Sequence, residues 1–77
     1  MSSQLEIVKT HLAYNIAMRR KALGISQEKL ALESDVDRTY VSQLERQIAN
    51  PSLAILCRMA EVLQCDLIAL LSKPNII

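Results

Sequence analysis

Seventy-seven residues leave room for one hydrophobic core and no second domain. Apolar residues make up 51 % of the chain, with no Trp or Phe, one Gly and two Pro, which favours helices packed through Leu, Ile, Val, Ala and Met over a turn-rich β fold. The net charge of +1 is neutral evidence on a nucleic-acid partner, but the segment from Gln27 to Asn50 carries five acidic and three basic side chains, so DNA affinity by bulk charge is excluded and placed contacts must supply it.

From about Leu5 to Leu23, Leu5, Val8, Leu12, Ile16 and Leu23 mark one face of a long first helix, with Ala13 and Ala17 supporting it and Gly24 ending it. Its last turns carry the basic run Arg19, Arg20 and Lys21. Arg19 and Lys21, like Lys9, read as a solvated face, whereas Arg20 suits either a phosphate or an internal acid. A second helix spans about Gln27 to Ser34, capped by the Ser26 hydroxyl, with Leu30 and Ala31 turned inward. Ser34 and Asp35 leave room for a tight turn only. A third helix follows from about Arg38 to Arg46, with Asp37 as its expected cap; Val41 and Leu44 face the core, Tyr40 packs partly on it, and Arg38, Thr39, Ser42 and Gln43 project outward. Two short helices joined in this way form a helix-turn-helix, whose second helix can enter a DNA major groove.

After the loop Gln47 to Asn50, Pro51 and Ser52 open a fourth helix, about Leu53 to Leu63, with Ser52 as cap. Leu53, Leu56, Ala60 and Leu63 form its inward stripe, and Ile55, Met59 and Val62 widen the apolar surface beyond one face. Leu67, Ile68, Leu70 and Leu71 form a short fifth helix capped by Asp66, before Ile76 and Ile77 at the end of the sequence. A monomer would expose much of this surface, so a homodimer through residues of about 53–77, with Ile55, Met59, Val62, Leu67, Leu70 and Leu71 at its interface, is the economical reading. Cys57 and Cys65 lie eight positions apart, about 12 Å along a continuous helix and beyond disulfide reach; both read as small buried hydrophobes. His11 is alone, so no metal set is expected. The lack of a signal peptide or a membrane-length apolar run makes the cytoplasm the expected compartment.

Ile16 and Arg20 before Gly24, Ser26-Gln27, Leu30-Ala31, Tyr40-Val41-Ser42, Leu44-Glu45-Arg46 and Asn50-Pro51-Ser52-Leu53 together resemble the Cro/C1-type helix-turn-helix family of phage and bacterial regulators. The resemblance covers Leu12 to Leu63, about two-thirds of the chain. Within the family, Val36 to Ser42 followed by Leu44-Glu45-Arg46 looks like the small controller proteins of restriction-modification systems. It implies an all-α, compact five-helix bundle of the lambda-repressor-like class, one DNA-binding domain over residues 1–77. It also implies an Arg20–Glu45 ion pair tying the first helix to the third, and phosphate contacts from Arg46 and Asn50. Many family members carry Gly in the turn and again after the Glu-Arg pair. This chain has Asp35 and Gln47 there, and Gln accepts a left-handed backbone less readily than Asp.

The residue chemistry fits double-stranded DNA. The fork of Arg38 matches guanine N7 and O6; Thr39 offers a methyl or hydroxyl to a base edge; Gln43 suits adenine or phosphate; and Ser42 shares the outward face. Ser26, Gln27 and Tyr40 can donate to phosphates, with the second helix's N-terminus adding partial positive charge. The expected function is a homodimeric transcriptional regulator on a near-palindromic operator, without cofactor, small-molecule ligand or membrane partner. A restriction-modification controller would tune the timing of endonuclease expression; a phage-type repressor and an antitoxin using the apolar C-terminal third for a protein partner are the rivals. No Ser, Cys, His and carboxylate set has catalytic spacing and no sizeable pocket is expected, so an enzyme is excluded.

Overall fold

The computed structural model describes residues 3–75. Five α-helices follow one another: α1 Gln4–Ala22, α2 Gln27–Ser34, α3 Arg38–Glu45, α4 Leu53–Val62 and α5 Leu67–Leu71. Three begin alike. The hydroxyls of Ser3, Ser26 and Ser52 accept the amides of Glu6, Lys29 and Ile55 at 3.1, 3.0 and 3.2 Å, satisfying a donor that the first turn leaves open. Asp37 and Asp66 occupy the same position before α3 and α5, but neither carboxylate makes the capping bond expected of it. Their negative charge still favours the helix N-terminus.

The first four helices also end alike. A residue at positive φ follows each: Gly24 (71°), Asp35 (58°), Gln47 (64°) and Gln64 (60°). In every case its amide bonds the carbonyl three residues back and the next amide bonds the carbonyl five back, as in Gly24 to Lys21 with Ile25 to Arg20, or Gln64 to Glu61 with Cys65 to Ala60, both pairs at 3.0 to 3.1 Å. This closure satisfies carbonyls that have no partner inside the helix. Glycine does it once; aspartate and glutamine do it three times.

The core is a single cluster to which all five helices contribute, with Ile16, Leu30, Val41, Met59 and Leu70 fully enclosed. On α4 the buried stripe runs through Leu56, Met59, Ala60 and Leu63, which leaves Leu53 at its edge in the first turn, 69 % exposed rather than inward. Leu5 and Leu23, expected on the inner face of α1, are also exposed. They lie at the two ends of a 19-residue helix, and its first side-chain bond to another element comes only at Thr10. Cys57 is exposed, not buried as expected, and Cys65 is half-buried against the core; both are free thiols. The terminal Ile76 and Ile77 lie outside the described residues.

Candidate nucleic-acid interface

Three residues, Asp35 to Asp37, connect α2 to α3. The left-handed Asp35 closes α2 and turns Val36 onto the core, and extended Asp37 launches α3. The back of α3 is then fixed by Val41 and Leu44, 0 % and 2 % exposed. At about 100° per residue, Arg38, Ser42, Arg46, Thr39 and Gln43 fall within an arc of about 140° on the opposite side. Arg38, Thr39 and Arg46 are exposed, and Ser42 and Gln43 are half-buried. Arg46 caps the helix instead of extending it.

Glu45 is the only carboxylate within α3, and it is neutralised from behind. Arg20 on α1 grips it with two parallel bonds, Nε to Oε2 at 2.7 Å and Nη2 to Oε1 at 3.0 Å, and spends Nη1 on the Ile25 carbonyl at 3.0 Å. Gln27, in the first turn of α2, donates Nε2 to the same Oε1 at 3.0 Å. Burial pushes the Glu45 carboxyl up, but the bonds from Arg20 and Gln27, with the charges of Arg20 and Lys21, outweigh it and hold the group below its ordinary value. The bond to Glu45 correspondingly raises Arg20, burial opposing. One network thus joins three helices and removes a negative charge from beside the outward arc. The exposed Lys29–Glu33 pair along α2, at 3.2 Å, adds little.

The candidate phosphate donors flank this arc. Gln27 has one Nε2 hydrogen engaged with Glu45 and a second without a partner among the described residues. The Ser26 oxygen accepts from Lys29, which leaves its hydrogen to donate. The Tyr40 ring packs against the core and burial raises its phenol, so the hydroxyl stays protonated and able to donate. Arg46 and Asn50 are exposed at either end of the loop after α3.

The C-terminal face departs from expectation. Met59 and Leu70, expected at a dimer interface, are 0 % exposed within a single chain, because each fills the monomer's own core, so neither can meet a second copy. Ile55, Val62, Leu67 and Leu71 are half-buried around them, and Ile68 is 76 % exposed. An open groove of about 390 Å³, where no sizeable pocket is expected, lies between α1 and the end of α3, lined by Thr10, Tyr14, Met18, Lys21 and Gln47. Its one carboxylate is Glu45, already committed to Arg20.

Three polar bridges have no signal in the apolar periodicity. Thr10 Oγ1 donates to Gln47 Oε1 at 3.1 Å, bracing the loop after α3 against α1. Arg58 Nε donates to the Ser34 carbonyl at 2.9 Å, closing α2 from α4. Asn15 Nδ2 lies 2.8 to 3.2 Å from the carbonyls of Ala69, Leu70 and Ser72. A poor helix former at mid-helix, as Asn15 is, offers the nearest thing to a hint.

No group of three or more His, Cys, Asp or Glu side chains among the described residues is placed to hold a metal, and no described helix is long and apolar enough to cross a membrane. A helix-turn-helix family model matches residues 16–70. A hypothetical transcription factor of Neisseria meningitidis serogroup B is 43 % identical over 64 residues, 83 % of this chain, which spans only 60 % of that protein's length. The crystal structure of the hypothetical transcription factor NHTF from Neisseria superposes with a TM-score of 0.86 at 36 % identity, covering 97 % of this chain and 85 % of that one. The restriction-modification controller C.AhdI from Aeromonas hydrophila superposes with a TM-score of 0.77 at 34 % identity, covering 80 % of this chain and 94 % of that one. The chain belongs to the helix-turn-helix family and carries its DNA-binding, transcription-regulating domain.

Proposed function

We propose that this protein binds operator DNA as a homodimer in the cytoplasm and regulates transcription. Arg38, Thr39, Ser42 and Gln43 read base edges, and Ser26, Gln27, Tyr40, Arg46 and Asn50 hold phosphates on either side. The observation that carries this reading is the outward arc of α3, polar along its length, whose neighbouring carboxylate is neutralised by Arg20 and Gln27. An eight-residue helix reaches only a few base pairs, so useful discrimination calls for two copies on a near-palindromic site. The apolar rim of α4 and α5, centred on Ile68, supports a second copy as the occupant. Within the family, a restriction-modification controller is the favoured role, because the likeness to C.AhdI spans 94 % of that chain. Endonuclease and methyltransferase genes beside this one are the expected neighbourhood; a prophage setting would favour a phage-type repressor.

Selection of bound oligonucleotides from a random pool tests the reading. Two-fold sites with half-site centres about 34 Å, or a small multiple of that, apart are expected. On the selected site, Arg38→Ala should cost about 1–3 kcal/mol and relax the preference at one base position. Failure to enrich any sequence, or a site without symmetry, overturns the proposal.

A further inference from the structure

We infer that Asn15 sets the dimerisation surface of this chain by holding α5 in the pose that presents its apolar side to a second copy, an inference that rests on the homodimer reading above. With five residues, α5 is too short to persist on its own hydrogen bonds. Asp66 gives it no side-chain cap, and Ser72 turns extended directly after it, at φ −78° and ψ 152°. Its closing carbonyls are satisfied from outside the helix. The Ser72 amide and hydroxyl take Ile68 at 3.0 and 2.6 Å. The two Nδ2 hydrogens of Asn15 are shared by Ala69 at 3.2 Å, Leu70 at 2.9 Å and Ser72 at 2.8 Å, and His11 Nδ1 lies 3.3 Å from Leu71. α1 therefore replaces the missing next turn of α5. Leu70 pins the inner side of the helix in the core, while Ile68 stands 76 % exposed on the other. Leu67 and Leu71 add half-buried apolar contacts on either side of Leu70, but apolar contacts are non-directional and leave a short helix free to shift; the directed bonds of the Asn15 amide remove that freedom. A surface that must match its own two-fold image needs such a fixed orientation. Asn15 is a positioning residue, since its amide is committed to the carbonyls of Ala69, Leu70 and Ser72 and not to the exposed apolar side of α5.

Sedimentation equilibrium of the full chain, paired with amide hydrogen exchange, provides the test. Asn15→Asp keeps the shape and removes both donors; Asn15→Ala removes the whole amide. Each should raise the dimer dissociation constant at least tenfold and speed exchange at residues 69–72, with exchange in α3 unchanged. Asn15→Gln, which retains the donors on a longer stem, should recover part of the loss. Dissociation constants for both variants within twofold of the parent would overturn the inference and leave the homodimer standing. Exchange accelerated equally in α3 would also overturn it, by reducing Asn15 to a general stability residue. A monomeric parent chain would instead sink the homodimer reading, and this inference with it.

Discussion

At Glu45 a single carboxylate joins the packing of three helices to the surface proposed to read DNA. Its side chain and that of Arg20 are 10 % and 12 % exposed, so the pair is largely desolvated without being sealed. Removing one partner of a fully enclosed pair costs about 3–5 kcal/mol. Glu45→Gln should cost less, about 2 kcal/mol at pH 7, since an amide oxygen still accepts from Arg20 but leaves the guanidinium uncompensated. The folded carboxyl sits below the ordinary value of 4.5. Its stabilisation is therefore complete above the unfolded group's pKa and drains away as pH falls through the folded value. Arg20 stays charged throughout. Urea denaturation of parent and variant at pH 7 and again at pH 3 should show the gap between them narrowing in acid. A gap that holds constant would mean that Glu45 acts through shape alone.

The helix ends explain how much of this fold the sequence discloses. The existence and order of all five helices are legible, because Leu30-Ala31, Val41 with Leu44, and Leu56 with Leu63 recur at helical spacing and Ser26 and Ser52 announce starts. The outward set on α3 is legible for the same reason: whatever is not apolar on a short, anchored helix faces out. Orientation around α4 is not legible, since eight of its ten residues are apolar and several inward stripes fit equally well. The true one takes Met59 in and leaves Leu53 out. Nor does the left-handed closure at Gln64 stand out, because glutamine is no turn signal, and at Gln47 only the family resemblance marks it; the hint in the chain itself lies in the apolar Ile48 and Cys65 that follow, as Ile25 follows Gly24. The closures lead to a matched pair of expectations. A Cβ at Gly24 would meet nothing within 4 Å, so Gly24→Gln exposes the backbone cost alone, a loss of about 1 kcal/mol. Gln64→Gly should return about 0.5–1 kcal/mol, part of the relief being offset by the freer unfolded chain. Gln47→Gly should gain less, because it gives up the bond from Thr10. Urea midpoints at one protein concentration check all three. A stabilisation by Gln47→Gly as large as that of Gln64→Gly would show the Thr10 bond to be worthless.

Across the whole molecule, charge is scarce where DNA is proposed to lie. The chain carries nine basic and eight acidic residues, and Arg20 is already matched to Glu45. Of the five residues assigned to phosphates, Ser26, Gln27, Tyr40, Arg46 and Asn50, Arg46 alone is charged. Hydrogen bonds from neutral donors fix register without displacing condensed cations, whereas each phosphate neutralised by an arginine or lysine steepens the salt dependence by about 0.9. Two copies of Arg46 therefore give a slope of about −2 in log affinity against log salt, reaching about −4 if Arg38 also lies against the backbone. Regulators that grip DNA mainly by charge show slopes of about −10. Titrating the selected operator between 50 mM and 300 mM salt measures the number directly. Arg46→Ala should flatten the line by about 2 with the preferred sequence unchanged, and Gln27→Ala should weaken binding with the slope intact. A slope near −10 would mean that Arg19, Lys21 and Lys29 reach the backbone as well, and that the duplex covers far more of α1 and α2 than the arc of α3 requires.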